Sequence, residues 1–478
     1  MAGVQQGSFI GGMQTASTNL LRKESEVIDA KNITFSSTLG GATKQPGYTA
    51  VNNNTAIAAG SLTTFYEFKK ESGTRIFLAA IESGLDTKIY SSTNMTTWTL
   101  RLSGLTPAYK PRFETFLDYV FVTNGIDAPK SWDGIAASFG STHLTSAPIG
   151  KFITQAGFRL IFPNIPASST STIQYSTLPA SNTVSWPSTF TTDLRTGSPI
   201  TGLGKNGNST LIFKDSAIMR FNISTDLLTT APFVTETEGT TSPSTIRTIG
   251  RYTYFFFNGQ IWMTNGGDCL YISKKIQRML DKVSPTAWDT LFAGKSRNLY
   301  RLYIGNITWK GKSLTNAYIE YDTDTNTWSY GTYADSFACY GNCVYNGVSY
   351  MVAGTSTGKL MLLDSGYDQN GVAFEGALDI GPFYGTGIDQ IDTWDIVHID
   401  GERLRGLSVS IEIDGQKEMP LGVCENSKHN YFSIGQIQGF YAKVYIRDNS
   451  KKEGFLIQSV NVYPRSRSTS TYDNRQQY

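Results

Sequence analysis

Residues 244–275, STIRTIGRYTYFFFNGQIWMTNGGDCLYISKK, hold four short runs of Ile, Thr, Tyr, Phe and Trp, divided by Gly250, Asn258-Gly259 and Asn265-Gly266-Gly267. β-Branched and aromatic side chains suit a pleated, half-buried surface, and Asn-Gly supplies the positive φ angles of a tight hairpin. Four strands joined by tight turns make an antiparallel meander, the unit of a β-propeller blade. The unit recurs at residues 61–101, 110–147, 150–192, 199–238, 296–333 and 336–364, about seven meanders in all. That spacing is close to the ~40–50-residue period of propeller repeats. In the 150–192 unit the fourth strand is expected around Val184–Trp186. Each unit can bury its two faces only against its neighbours, which argues for closure into a ring.

The expected class is therefore all-β, a propeller with an appended β-sandwich-like domain. Charged residues are only 17% of the chain and aromatics 13%, a balance that favours strands over helices. The net charge of +2, from 41 basic and 39 acidic residues, implies no strongly polyanionic or polycationic partner. Basic residues are dispersed, with pairs only at Lys69-Lys70, Lys274-Lys275 and Lys451-Lys452, so no phosphate-reading footprint is present. A wall past which DNA slides would hold it weakly, and this composition allows one.

Cys269, Cys339, Cys343 and Cys424 lack the further Cys or His that a zinc site needs nearby, and His143, His398 and His429 are scattered along the chain. The expectation is free thiols, with no metal and no cofactor. MAGVQQGSFIGGMQ has no basic stretch followed by an apolar core, and no run of ~18 apolar residues follows. Neither a signal peptide nor a membrane span is expected, and assembly is expected in cytoplasm.

Four regions are expected. Residues 1–57 read as an extended entry, with a strand at Asn32-Ile33-Thr34-Phe35 and a turn at Pro46-Gly47. Residues 58–371 read as the propeller. After Gly371 the strands lengthen and alternate strictly, and about six of them over 372–464 suit a small sandwich. Residues 465–478 form a polar tail. Between the fifth and sixth blades, Ile276, Met279, Leu280 and Val283 fall at helical spacing, so a helix is expected from Lys274 to Pro285. Insertions cluster on binding faces, which makes Lys274, Lys275, Gln277 and Arg278 candidates for a partner-facing bracket.

Two strings look catalytic. Gly202-Leu-Gly204-Lys-Asn-Gly207 matches G-x-G-x-x-G but precedes STLIFKD, a strand, whereas a dinucleotide fingerprint must open a helix. Gly354-Thr-Ser356-Thr-Gly358 matches G-x-S-x-G, with Asp364 and His398 following, yet KLMLLD after it alternates as a strand. Both read as hairpin turns. Ser91–Trp98 and Asp322–Trp328 resemble sialidase turns without their Gly, and the latter also resembles a kelch-type blade turn. No catalytic residue is nominated, and the chain is expected not to be an enzyme.

The segment GGMQTASTNLLRKESEVIDAKNITF…GGATKQPGY resembles the opening of tailed-phage virion proteins through Gly11-Gly12, Glu24, Asn32, Lys44 and Pro46-Gly47. NGIDAPKSWDG (124–134), ITGLGKNGNSTLIFKDSAIMRFNI and YTYFFFNGQIWMTNGG…ISKKI follow in the order found in tail-hub proteins of short-tailed bacteriophages, also called packaged-DNA stabilisation or nozzle proteins. The resemblance implies a virion tail protein, assembled as a ring, a hexamer in that family, below the portal and adaptor. It also implies contacts with adaptor-side proteins and with tail fibres or spikes, and non-specific passage of double-stranded DNA. The alternative is a tail propeller that binds or cleaves receptor glycans.

Overall fold

The structure, a computed structural model, describes residues 4–16, 22–36, 40–165, 169–180, 183–194, 198–207, 209–221, 232–451 and 454–465. The polar tail lies outside them. Two compact units emerge: residues 46–323 with 330–372, and residues 1–45 with 324–329 and 373–478.

The larger unit is a seven-bladed β-propeller. Its blades open with the strands Ser61–Lys69, Arg112–Phe116, Thr154–Ala156, Gly202–Asn206, Arg247–Ile249, Phe292–Ser296 and Phe337–Tyr345, each the first strand of an antiparallel sheet. Blade two has three strands and each other blade four, those of blade six running from Phe292–Ser296 to Thr327–Thr332. Neighbouring blades share apolar seams all the way round. Phe68 and Leu78 of blade one pack with Phe113 and Val120 of blade two, and Phe121 with Phe162 of blade three. Ile161 then meets Ile212 of blade four, and Phe213 stacks edge-on against Phe255 of blade five at 5.1 Å. Tyr254 of blade five lies 5.5 Å from Tyr300 of blade six, and Tyr318 joins Tyr340 of blade seven in one core. Cys343 and Val352 of blade seven pack with Leu62 and Phe77 of blade one, which closes the circle.

Strand pairing also seals the closure. The fourth strand of blade seven is Tyr48–Ala50, from the start of the chain, paired antiparallel to Leu360–Leu363. The ring can therefore be sprung only by breaking a sheet, because both ends of the propeller sequence lie in one blade. Tyr48 is fully buried, its hydroxyl donates to Asp335 Oδ2 at 2.8 Å, and its ring meets Tyr333 and Phe337 edge-on.

The fourth strand of blade three is Thr191–Asp193, not the stretch around Val184–Trp186. Trp186 is too large and apolar for an outer edge. It is buried in the seam between blades two and three, and its indole donates to His143 O.

The expected helix after blade five is also shorter. One 3₁₀ turn, Ser273–Ile276, leads into a single α turn, Gln277–Leu280, and a second 3₁₀ turn covers Pro285–Thr290. Lys282 N and Val283 N bond three residues back, to Met279 O and Leu280 O, which tightens the helix. Ser284, before Pro285, takes ψ 133 as the proline ring requires, and the helix ends. The periodic residues Ile276, Met279, Leu280 and Val283 are all buried, so the spacing marked a core face.

The smaller unit corrects the expected boundaries. Residues up to 45 are not a separate extended leader. Val4–Gln6 pairs with Leu456–Pro464, Asp29–Lys31 with Gly376–Tyr384, and Ala42–Lys44 with Ile33–Phe35 and the last strand. Two sheets result. One runs from His429–Gly439 through Asp392–Glu402 and Leu456–Pro464 to the N-terminal strands, and the other holds Gly376–Tyr384, Tyr441–Asp448, Ser408–Ile413 and Met419–Val423. Trp394, Val397, Ile399 and Val460 on the first, and Leu378, Ile380, Val444 and Ile446 on the second, are all fully buried. Lys44 is buried too. Its Nζ lies 2.9 Å from Asp448 Oδ2, donates to Ser450 O at 2.7 Å, and sits over the Phe374 ring.

A stable proteolytic fragment covering only residues 377–464 would lose these partners. Limited proteolysis is instead expected to yield a C-terminal fragment that co-elutes with a peptide from the first 45 residues. Recovery of the C-terminal fragment alone, still folded by circular dichroism, would contradict the shared unit.

Candidate functional site: the basic channel of the propeller

The first strands of the seven blades surround a cavity of about 340 Å³. Lys110 and Arg112 enter it from blade two and Arg247 from blade five, with Lys295 of blade six close by. These residues are separated by up to 185 positions in sequence (110 to 295), and ring closure alone unites them. Glu114 is the acid among the described lining residues. Glu114 reaches across to Lys205 of blade four at 2.8 Å, so that pair neutralises itself. Among the described residues no carboxylate lies in ion-pair range of Lys110, Arg112 or Arg247.

Aromatic faces and carbonyls partly take their place. Arg112 lies 4.7 Å from the Phe152 ring and Lys110 5.9 Å from the Phe292 ring. Arg247 donates to Ile246 O at 2.7 Å and Lys295 to Thr248 O at 2.9 Å. Burial, then the Arg247 charge, pushes the Arg112 guanidinium down to about 10. Burial also lowers Arg247, Lys110 and Lys295. A small anion placed among these groups would offset the cost that burial puts on their charge.

Arg112 carries a consequence for stability. Its folded pKa lies below its unfolded one, so charging it costs stability throughout the neutral range, and that cost fades only as pH rises from about 10 past the unfolded value. Arg112→Met is therefore expected to raise Tm in anion-free buffer and to abolish any further gain from added sulfate or citrate. A lowered Tm with the sulfate response intact would contradict an anion-receptive cluster.

A second cavity, about 540 Å³, adjoins the first and shares Lys110 and Phe292 with it. Its wall includes Val283, Ser284, Ala287 and Leu291 from the insertion. The four residues nominated from sequence lie earlier. Gln277 is half-buried and tied down, accepting from Tyr271 Oη at 2.6 Å and donating to Gly259 O at 3.0 Å. Lys274 and Arg278 are exposed, while Lys275 is half-buried. The half of the insertion that reaches the cavity is thus the half after the helix.

The catalytic-looking strings are hairpins. Gly202–Asn206 turns directly into Ser209–Phe213, with no helix. Thr355 ends one strand and Leu360 starts the next, leaving Ser356 exposed at the turn. Asp364 is taken up by Arg301, and His398 belongs to the other unit. Ser356→Ala is expected to change stability by no more than about 0.5 kcal/mol, the usual range for a surface substitution. A loss above that in denaturant melts would mean that the hydroxyl holds the turn. The four cysteines are free, and burial raises the thiols of Cys339, Cys343 and Cys424 to about 11 to 12. No helix of the described residues is long and apolar enough to cross a membrane.

The sequence matches no protein-family model and no curated protein. Among solved structures, the chain is similar to the computationally designed Ika8 protein at 10% identity and TM-score 0.42, over 74% of this chain and 99% of that one. YCF48 bound to D1 peptide aligns at 10% identity and TM-score 0.40, over 67% and 97%. PorZ, a type-IX secretion component of Porphyromonas gingivalis, aligns at 12% identity and TM-score 0.39, over 72% of this chain and 44% of PorZ. Likenesses this distant carry no functional argument, and the propeller rests on its own blade topology.

Proposed function

We propose that the chain is a structural subunit of a short-tailed bacteriophage tail, a hub or nozzle that forms a ring of copies below the portal and adaptor. In this reading it extends the DNA channel, helps retain the packaged genome and conducts it during ejection. It is assembled in the bacterial cytoplasm and resides in the virion. The observation that carries the reading is the ordered run of hub-like segments along most of the chain.

Those segments are framework. Asn124 Oδ1 accepts from Ile126 N and Asp127 N, while Asp127 takes Thr106 N and its hydroxyl, tying blade two to blade one. Asp133 caps its own turn through Ile135 N and Ala136 N. Lys44 closes the buried pair with Asp448. The DNA path has to lie between copies. A cavity of about 340 Å³ holds a small molecule, not a duplex whose major groove alone is ~12 Å wide. A near-neutral wall suits that path, because dense phosphate neutralisation would trap the DNA.

Particles lacking this chain are expected to package DNA and then leak it. Particles that hold their genomes and fail only to adsorb to cells would replace this reading with receptor binding. That second reading has its own observation, the unpaired Lys110, Arg112 and Arg247 in the channel, which suit an acidic saccharide. Glycan arrays with the isolated chain separate the two, since a hub has no need of such binding.

A further inference from the structure

We propose that His398, Asp400 and His429 form a binding site for a borderline divalent transition cation, zinc being the fitting case. His398 and Asp400 are two apart on the strand Asp392–Glu402, so both project from one face of the sheet, opposite the buried Val397 and Ile399. The neighbouring strand His429–Gly439 pairs in a register that sets His429 across from Asp400 and Tyr431 across from His398. Cross-strand partners stand side by side, and this register gathers two imidazoles and one carboxylate on adjacent rungs.

The ligand atoms converge. One nitrogen of each histidine and a carboxylate oxygen all lie within 4.8 Å of one another. His398 Nε2 is 3.0 Å from Asp400 Oδ1, and His429 Nδ1 contacts the same oxygen. Ligands held ~2.0–2.2 Å from a tetrahedral ion stand a little over 3 Å apart, so a modest rotation of the exposed His429 completes three corners. The fourth corner is left to water or to a group from outside.

Two further observations point to a ligand. His398 is nine-tenths buried, yet its Nε2 has no aligned hydrogen-bond partner, although the Asp400 oxygen is near. A buried ring nitrogen held 3.0 Å from a carboxylate oxygen but out of hydrogen-bond alignment is costly unless a further group satisfies it. The surroundings are also pre-set: Tyr431 stacks on His398 at 4.0 Å with the rings 1° from parallel, and Ser459 Oγ donates to Asp400 Oδ2 at 3.2 Å. Such outer contacts hold a ligand ring and a carboxylate in place. Two nitrogens and one oxygen, without thiolate, select zinc, nickel or cobalt over magnesium or calcium. A bound ion would staple the edge strand His429–Gly439 to its neighbour.

The test is equilibrium dialysis of the untagged full chain against zinc chloride. One zinc per chain is expected, with affinity falling by roughly tenfold or more in His398→Gln, Asp400→Asn and His429→Gln, and unchanged in Cys269→Ser and Cys424→Ser. Since His429 is exposed, its variant should melt like the parent without metal, which separates lost binding from lost folding. Zinc should raise the Tm of the parent and not of His429→Gln. No stoichiometric zinc on the parent, or equal uptake by His429→Gln, would overturn the proposal.

Discussion

Replacing Arg301 with Met is expected to destabilise the propeller by about 3–5 kcal/mol, the cost of breaking a buried ion pair from one side. Arg301 is 3% exposed, between blades six and seven. Its Nε donates to Glu320 Oε2 at 2.7 Å, one terminal nitrogen to Asp364 Oδ1 at 2.8 Å, and the other to Tyr333 Oη at 3.1 Å, while Tyr318 covers its face. Burial opposes the charge, but Asp364 and Glu320 outweigh it and hold the guanidinium protonated. Glu320 is itself pushed up by burial, with Arg301 pulling it back down. Without Arg301 the carboxyl rises further. The variant's loss is then smaller at about pH 5, where Glu320 can take a proton, than at about pH 8, where it must stay charged or bind one at a cost. Urea melts at the two pH values check the sign, and an equal loss at both would mean that the network is held by packing alone.

Tyr48→Ala is expected to cost about 3–5 kcal/mol, the range for emptying a buried aromatic site. Here the loss falls on the strand that closes the ring. The variant forfeits the ring contacts to Tyr333 and Phe337 and leaves Asp335 without its hydroxyl partner. Tyr48→Phe keeps the rings and should cost only about 0.5–1.5 kcal/mol, the net worth of one hydrogen bond to a half-buried partner. Hydrogen exchange should then show the pairing of Tyr48–Ala50 with Leu360–Leu363 opening before any other blade. Uniform loss of protection across all seven blades would contradict a local latch.

The blades were legible because each is a local meander whose turns name themselves, as Asn258-Gly259 does with φ 47 and 76. What escaped were pairings made across the chain. Tyr48–Ala50 is three residues long and shows no periodicity, and its partner lies more than 300 residues on (360 against 48). Ile33–Phe35 was legible as a strand, but the others before residue 45 have two or three residues each and read as loop until the last strand, Leu456–Pro464, gives them an edge. Met419–Val423 carries Pro420 and Gly422, which disguise it as loop in the sequence. The channel left no local trace, since Lys110, Arg112 and Arg247 meet only once the ring is shut. His398 and His429 read as scattered, because a register that no single sequence states is what sets His429 across from Asp400.

Electron microscopy of the purified chain, alone and with the tail component directly above it, tests the central claim most directly. The account predicts closed rings of copies whose lumen, formed between subunits, is wide enough for duplex DNA. Isolated monomers under both conditions, together with tails that keep an unbroken channel when the chain is absent, would contradict it.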